Sequence, residues 1–365
     1  MPGLDLIEEA GRQLTICNAC RYCEGYCAVF PALEVRRDFA KGDVLYLAHL
    51  CHDCRACYHA CPYTPPHEFA INIPKVMSDV RVASYQRWSW PALLARSFAD
   101  PRISITLAAF AVALVMILSL LLVSPVRLFT SHLGRGAFYQ VIPYLTMVIP
   151  SAVLFLNAIA IWLWGGIQFW SEAGSILRPP NGLSTLTQAL GDAFGLQYLK
   201  GGGPGCYYPK DQPSAARRIY HSFTFFGFLC AFISTTLAAI YQDVFHRLPP
   251  FSVLSAPVIF GSLGGVAMII GTGGLIWFKL KSDPAPAGAN ATSMDYVFLA
   301  VLGLTALSGM LTLTFRATSA MGSILTVHLG LVAALFLTAP YGKFVHFVYR
   351  GLALIRYRIE QRQRV

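Results

Sequence analysis

Charged side chains are scarce in this sequence. Asp, Glu, Lys and Arg make up 13% of its 365 residues, whereas hydrophobic residues make up 55%. Soluble globular domains usually carry about 25% charged residues. Together with a mean hydropathy of +0.54, this deficit excludes an ordinary soluble protein of this length and indicates a membrane protein.

The motifs of nucleotide-binding enzymes are also absent. No Gly-x-Gly-x-x-Gly stretch follows a strand pattern, and no Lys-Ser or Lys-Thr follows the glycine cluster at 201–205. We therefore expect any flavin or nicotinamide chemistry to reside on a partner protein. The start, MPGLDLIEEAGRQL, is acidic and has no apolar h-region, so we expect no secretory leader. Thiols at this end would then stay in the reducing cytoplasm.

Eight of the ten cysteines form two runs with the same spacing, C-x2-C-x2-C-x3-C. In this bacterial ferredoxin pattern, three thiolates hold one iron–sulfur cubane and the fourth reaches its neighbour. The spacing predicts two [4Fe–4S] clusters. The predicted ligand sets are Cys17, Cys20, Cys23 and Cys61 for cluster 1, and Cys51, Cys54, Cys57 and Cys27 for cluster 2. The alternatives are zinc, which usually uses paired ligands, and disulfides, which need an oxidising compartment.

Six apolar stretches are long enough to cross a bilayer, which takes about 20 residues. They cover residues 103–123, 141–165, 220–242, 254–278, 294–315 and 321–347. Basic residues are concentrated on the side predicted to face inward: Arg178, Lys200, Lys210, Arg217, Arg218, Arg350, Arg356, Arg358, Arg362 and Arg364. The outer loops carry only Arg127, Arg135, Arg247 and Arg316. This bias predicts a multi-pass protein of a bacterial inner membrane with both termini in the cytoplasm.

These patterns predict an all-α protein with four parts. Residues 1–80 form a helical 2[4Fe–4S] ferredoxin-like head, and residues 81–102, rich in Trp and Arg, form an interfacial linker at the lipid headgroups. Residues 103–350 form a six-helix transmembrane domain for haem and quinone. Residues 351–365 form a basic cytoplasmic tail.

Three histidines lie in or beside the apolar stretches, where ionisable side chains are functional candidates. His221 opens the third stretch, and His328 and His346 are both placed on the last. The two antiparallel stretches bring His221 and His346 to the same depth, which predicts the axial ligands of a haem b. One continuous helix would place His328 about 27 Å from His346 along its axis. His328 is then a candidate for a second haem or for a quinone site.

The connection at 166–219 contains a predicted amphipathic helix at 183–199, followed by GGGPGCYYP at 201–209. We interpret the glycine-rich part as a flexible loop, with docking onto the cluster head as the functional alternative. Cys206 is interpreted as a free thiol, and Cys230 as a packing residue within a span. The head histidines His49, His52, His59 and His67 are expected to bond cluster sulfurs or backbone.

The chain resembles a known family in several segments. These are CNACRYCEGYCAVFPALE, CHDCRACYHACPYTPPHEFAINIPKV, the GGGPGCYYP loop and HSFTFFGF at His221. Together with the six spans, they are similar to the tricarballylate-utilization protein B, or citrate-utilization CitB, family. The resemblance implies reoxidation of the reduced flavin of a soluble FAD-dependent tricarballylate dehydrogenase. Electrons would pass through the two clusters and haem b to quinone.

The membrane half also resembles the gamma subunit of respiratory nitrate reductases, in which histidine pairs hold two haems. His221, His328 and His346 match three of those four positions, and Ala231 stands near the fourth. Two other functions stay open. One is electron delivery from quinol to a soluble reductase of the heterodisulfide-reductase type. The other is an iron–sulfur redox sensor, for which the final segment RYRIEQRQRV is short.

Overall fold

The computed structural model describes residues 2–98, 100–173, 182–203 and 205–363. Arg178, Pro204 and Arg364 lie outside these ranges. Nearly all of the described secondary structure is helical, so the predicted all-α fold with a head and six apolar spans is confirmed. One two-residue pair of antiparallel strands, β1 (Cys206–Tyr207) and β2 (Pro213–Ser214), lies in the glycine-rich connection.

The head consists of five helices: α1 (Pro2–Cys20), α2 (Val29–Leu33), α3 (Lys41–Leu50), α4 (Ala56–His59) and α5 (Ile73–Trp88). Leu14, Leu47 and Met77 on the three longest are fully buried and form its core. Asn72 caps α5 by accepting a hydrogen bond from the Lys75 amide at 3.2 Å. Pro74 in the first turn needs no amide partner, which fits a helix start. The cysteine runs therefore lie between helices that are fixed by one apolar core.

Six helices are long and apolar enough to span a membrane. They are α7 (Pro101–Leu122), α10 (Tyr144–Ala173), α12 (Ala216–Asp243), α13 (Ala256–Lys281), α14 (Ala289–Thr314) and α15 (Met321–Thr338). The shorter elements are α6 (Ala92–Ser97), α8 (Pro125–Phe129), α9 (Ala137–Val141), α11 (Gly182–Phe194), α16 (His346–Gln363) and the 3₁₀ turns Gln197–Lys200 and Lys343–Val345. The helix predicted at 183–199 corresponds to α11 and the first of these turns.

Alternate ends of the spans contact the head. Glu172 at the end of α10 pairs with Arg87 at 2.9 Å. Beyond α13, the Asp283 carbonyl accepts a hydrogen bond from Arg55 at 2.9 Å. Beyond α15, the Pro340 carbonyl accepts one from Ser89 at 3.1 Å. The connections at 182–203, 205–215 and 282–288 and the helix α16 thus lie on the head side.

The last predicted span is wrong at its head-side end. The helix α15 ends at Thr338, a turn and a short 3₁₀ segment follow, and His346 begins a new helix, α16. Pro340 explains the break, because proline lacks an amide hydrogen and its ring clashes with the carbonyl four residues earlier. His328 and His346 therefore do not share one helix face, and their predicted 27 Å axial spacing does not apply.

The segment predicted as a tail, residues 351–365, is helical as far as Gln363 and packs against the head. Leu354 and Ile359 are 1% exposed. Glu360 accepts hydrogen bonds from Arg36 at 2.5 Å and from Tyr46 at 3.2 Å. Apolar burial combined with these bonds makes α16 a structural part of the head.

The segment predicted to lie at the lipid headgroups, residues 81–102, also packs partly against protein. Arg81 and Trp88 lie on α5 and are 4% and 1% exposed, so they face protein and not lipid headgroups. Arg81 donates to the carbonyls of Ala48 and Cys51. Trp90 is 62% exposed, as expected for a tryptophan at the membrane–water interface.

The helices α12 and α13 pack closely along a row of glycines. A Cβ atom on Gly264 would lie 2.8 Å from the Ala231 amide nitrogen, and one on Gly271 would lie 2.5 Å from that of Thr224. In lipid the hydrophobic effect does not hold helices together, so they associate through close van der Waals packing, which small residues permit. Cys230 contacts this row at Gly264, which agrees with its interpretation as a packing residue.

Gly271→Val should destabilise the α12–α13 pair, because the added side chain meets backbone that cannot move aside. Overpacking of this kind costs about 1–3 kcal/mol. Gly273→Val is the matched control, since nothing lies within 4 Å of a Cβ at that position. Thermal unfolding of the detergent-purified variants, followed by circular dichroism, measures the difference. Equal melting temperatures for the two variants would contradict the close packing described above.

Candidate functional site

The eight cysteines of the two runs separate into two groups in space. Burial raises the pKa of Cys17 to about 12, and its further causes are Cys61, Cys23 and Cys20. Burial likewise raises the pKa of Cys27 well above its ordinary value, with Cys54 and Cys51 as the neighbouring thiols. Burial also raises the pKa of Cys57, with Cys54, Cys27, Cys51 and, from the first group, Cys23 as further causes. The last cysteine of each run thus lies near thiols of the other run, as the predicted crossed arrangement requires.

The donor sets suit iron–sulfur clusters. Buried thiols that repel one another as thiolates are stabilised by bound cations. A pocket at the first group is lined by Cys17, Cys20, Cys23 and Cys61 together with apolar side chains such as Phe30. In the described ranges, no three His, Cys, Asp or Glu side chains converge on the position of a single metal ion.

The two groups differ in exposure. In the first group Cys20 is exposed, and the neighbouring Tyr22 is 65% exposed. Cys23 of the same group is buried. In the second group Cys51 and Cys54 are 6% and 7% exposed, and Cys27 and Cys57 are partly buried. The first group therefore has a solvent-exposed cysteine, whereas none of the four in the second group is exposed.

The glycine-rich connection covers the second group, so its interpretation as a flexible loop is wrong. The Tyr207 amide donates to the Cys54 carbonyl at 2.9 Å. Cys206 is fully buried, donates through Sγ to the Leu199 carbonyl, and is among the groups that raise the pKa of Cys54 after burial itself. Gly205, at a φ of +128°, allows the chain to turn back beside Ser214. The docking alternative describes this loop correctly.

Tyr208 fixes the loop between two arginines. The guanidinium carbons of Arg55 and Arg217 lie 4.1 and 4.7 Å from the centre of its ring. Its hydroxyl donates to Asp53 at 2.7 Å. Stacked cations and a charge-assisted hydrogen bond are strong contacts when they are buried. They hold the loop over the cysteine segment 51–54.

Two arginines connect the same cysteine segment to the helices that carry the histidines. Arg217 on α12 donates to the carbonyls of His52 and Asp53 at 3.0 and 2.7 Å. Arg350 on α16 donates to the Cys51 carbonyl at 2.8 Å. Each arginine is four residues from a histidine, His221 or His346. Four residues rise about 6 Å along a helix, so both histidines lie one turn from the anchored arginine.

His221 and His346 are brought close together. Burial lowers the pKa of His346 well below its ordinary value, and the positive groups that add to this are Arg350, Lys343 and His221. The Nδ1 atom of His346 lies 2.7 Å from the Lys343 carbonyl, which fixes a proton on Nδ1 and leaves Nε2 as the electron-pair donor. The Nδ1 atom of His221 is buried and makes no hydrogen bond with the described residues. Imidazole nitrogens are common haem ligands, so His221 and His346 could together hold a haem.

His328 is not part of this pair. Its Nδ1 atom lies 3.0 Å from Ser308 Oγ on α14, and its ring covers Gly309 on the same helix. Its described contacts thus serve the packing of α15 on α14.

The expectation for the head histidines holds for His52 but not for His49 or His59. His52 Nδ1 bonds the Leu50 carbonyl at 2.7 Å, as predicted for a backbone contact. His49 bonds Ser84 at 2.8 Å and is enclosed by aromatic rings, whereas His59 stacks on Tyr207. The sulfur of Cys61 accepts a hydrogen bond from the Tyr63 amide.

The anchoring role of Arg217 and Arg350 was not predicted from the sequence. Both were interpreted only as inward-facing charges, although each is spaced four residues from a candidate histidine. A partly buried chain of ion pairs at the head-side end of the spans was not predicted either. Asp295 on α14 lies 2.5 Å from Lys279 and 2.8 Å from Lys343.

Comparison with known protein families also divides the chain into a head and a membrane part. A family model described as "Citrate utilization protein B Fer4-like domain" matches residues 10–87, and one described as "Citrate utilization protein B" matches residues 97–365. A curated Escherichia coli protein described as "Citrate utilization protein B" is 42% identical over 357 residues, which cover 97% of this chain and 93% of that protein. No solved structure matches the chain.

Replacement of single cysteines should separate ligands from bystanders. Two cubanes require about eight iron and eight acid-labile sulfide per chain. Cys61→Ala should lower both to about four, because the first group loses its crossed ligand while the second stays complete. Cys206→Ala, which removes a buried cysteine outside both groups, should leave about eight. Iron and sulfide analysis of the anaerobically purified proteins gives the result, and equal loss in both variants would contradict the grouping.

Proposed function

The chain belongs to the citrate utilization protein B family, and on this basis we propose that it carries electrons from a soluble FAD-dependent dehydrogenase to membrane quinone. The proposed substrate of the dehydrogenase is tricarballylate or a related tricarboxylate. The Fer4-like domain and the six apolar helices make the chain a multi-pass membrane protein of the iron–sulfur class. The electron route and the partner are the proposed part.

The arginine anchors are the observation that supports this proposal most. They hold the segment Cys51–Cys54 against the two helices that carry His221 and His346, and each histidine lies about one helical turn from its anchoring arginine. A fixed short separation between a cluster site and a haem site is what electron transfer across the head–membrane boundary requires. The two [4Fe–4S] clusters and the haem b, when bound, would supply one-electron carriers between a two-electron flavin and a two-electron quinone.

The exposure of the cysteine groups gives the proposed route its direction. Electrons enter at the group that contains the exposed Cys20, beside Tyr22, where a flavoprotein has access. They leave from the buried group that contains Cys51 and Cys54. The enclosing loop at 205–209 keeps water from this second group, which limits loss of electrons to side reactions.

The proposed location is a bacterial cytoplasmic membrane, with the head and both termini in the cytoplasm. The head-side connections carry most of the basic residues, and the opposite loops carry Arg127, Arg135, Arg247 and Arg316. This distribution follows the positive-inside rule. A reducing compartment also suits eight cluster thiols.

His221→Ala and His346→Ala should each abolish the haem b absorbance, because each would remove one axial ligand. His328→Ala should keep the haem, since His328 contacts Ser308 and Gly309. His246→Ala, on the far side of the membrane domain, is a second control. Reduced-minus-oxidised visible spectra of the purified variants report the haem. Survival of the haem in both His221→Ala and His346→Ala would refute the pairing.

The route itself is tested with the purified protein in lipid, its dehydrogenase, the tricarboxylate and a quinone. We expect the substrate to reduce clusters and haem only when the dehydrogenase is present, and quinone to reoxidise them. The Tyr22→Ala variant should slow only the first step. Reduction by quinol with no reduction from the dehydrogenase side would instead support delivery of electrons to a soluble reductase.

A further inference from the structure

Three guanidinium groups converge on the backbone of the second cysteine group. Arg81 and Arg350 both donate to the carbonyl of Cys51, at 3.0 and 2.8 Å. Arg217 donates to the next two carbonyls of the chain, at 3.0 and 2.7 Å. An arginine side chain keeps its positive charge in proteins. Three positive charges from three helices therefore lie within hydrogen-bond distance of the segment 51–54.

The carboxylate of Asp53 lies among these cations. One of its oxygens accepts a hydrogen bond from the Tyr208 hydroxyl at 2.7 Å, and the other lies 3.9 Å from Arg55. Burial raises the pKa of Asp53, but Arg55, Arg217 and Arg81 outweigh burial and bring the pKa below its usual value. Asp53 therefore stays charged. Its single negative charge offsets only part of the positive charge around the segment.

The first cysteine group has a different environment. None of the described residues that line the pocket at this group carries a charged side chain. Burial raises the pKa of Cys23 to about 12, and the thiols of Cys61 and Cys20 add to the rise. Burial also raises the pKa of Cys54 to about 12, but there Arg217 acts against the rise. The anchoring arginines thus distinguish the second group from the first.

Burial and positive charge shift the reduction potential of a cluster in opposite directions. Reduction adds one negative charge, so a cluster enclosed by protein is harder to reduce than one in contact with water. A nearby cation favours the reduced, more negative form. The second group has no exposed cysteine, whereas the first has Cys20. Burial alone would therefore make the second cluster the harder one to reduce.

We propose that Arg81, Arg217 and Arg350 raise the reduction potential of the second cluster at least to that of the first. Electron transfer from the first group to the second is then favourable although the second is more enclosed. Each transfer oxidises one cluster and reduces the other by one electron, so it needs no proton and no further reactant. The inference rests on the proposed function, because it explains why that route runs inward.

Two substitutions that change the charge in opposite directions test this proposal. Arg81→Gln removes a positive charge from a helix that carries neither haem histidine, and it should lower the midpoint potential of the second cluster. Asp53→Asn removes a negative charge and should raise that potential. Asparagine tolerates the left-handed backbone at this position, where φ is +53°, and its side-chain oxygen can still accept from Tyr208. A purely structural role of these residues would not produce shifts of opposite sign.

The expected shift is about tenfold in the one-electron equilibrium between the two clusters, which corresponds to about 59 mV. Arg81→Lys keeps the charge and should leave the potential nearly unchanged. Arg87→Gln is the matched control on the same helix. It removes a side chain that is 49% exposed and paired with Glu172, so solvent screening should leave both clusters unshifted.

Redox titration of the full-length protein, followed by electron paramagnetic resonance, measures these potentials. The Cys61→Ala variant, in which the second cluster is observed alone, identifies its signal. The proposal requires that the second cluster of the unchanged protein titrates at or above the first. This comparison and Asp53→Asn decide the matter if Arg81→Gln fails to assemble its clusters.

A second cluster that titrates below the first would overturn the proposal, as would shifts of the same sign, or none, in Arg81→Gln and Asp53→Asn. Either result leaves the proposed function intact as long as the dehydrogenase still reduces the clusters and quinone reoxidises them. If the dehydrogenase does not reduce the unchanged protein, the proposed function is wrong, whatever the two potentials are.

Discussion

The anchoring of one cysteine segment by buried arginines is the contact on which the rest of the structure depends. Arg81, Arg217 and Arg350 come from three different helices and donate to the carbonyls of residues 48–53. A buried carbonyl left without a partner costs about 1–3 kcal/mol, and an unpaired guanidinium costs more. The head and the membrane helices are consequently held in one relative position. That position puts the segment 51–54 of the second cysteine group against the helices that carry His221 and His346.

Other contacts support the same junction. On α16, Arg356 pairs with Asp43 at 3.2 Å, while Glu360 pairs with Arg36 at 2.5 Å, so this helix is bound to α2–α3 of the head. The loop at 205–209 closes the junction from the side, with Tyr208 between its arginines. Because α16 also carries His346, the helix that fixes the head carries a proposed haem ligand as well. The ion pairs that bind α16 to the head and the proposed haem ligand His346 therefore lie on the same helix.

Local patterns predicted much of this fold. Cysteine spacing encodes the crossed grouping, because the motif is short and its geometry is fixed by the ligand set. Long apolar runs encode the spans, and the basic residues between them encode their direction. These features need no knowledge of distant contacts, and the predicted spans agree with α7 and α13 to within three residues at both ends.

Features that depend on tertiary contacts were not predicted correctly. The apolar run at 321–347 continues across Pro340, so hydropathy alone joined two helices that proline separates. The composition of the glycine-rich loop predicted flexibility, whereas in the structure Tyr207 and Tyr208 form hydrogen bonds with Cys54 and Asp53. In the sequence, Arg350 appears only as a positive charge. In the structure it anchors the head, because its hydrogen-bond acceptors are carbonyls about 300 residues earlier in the chain. Long-range hydrogen bonds of this kind leave no periodic signal.

In the proposed electron route, the cluster that Cys27, Cys51, Cys54 and Cys57 would hold is the neighbour of the haem. Electron paramagnetic resonance of the partly reduced protein tests this most directly, since spins that lie close together broaden and split each other's signals. We expect this cluster, observed alone in a Cys61→Ala variant, to change its signal when the haem is oxidised or reduced. A cluster signal that does not depend on the haem's oxidation state would show that the two are not neighbours.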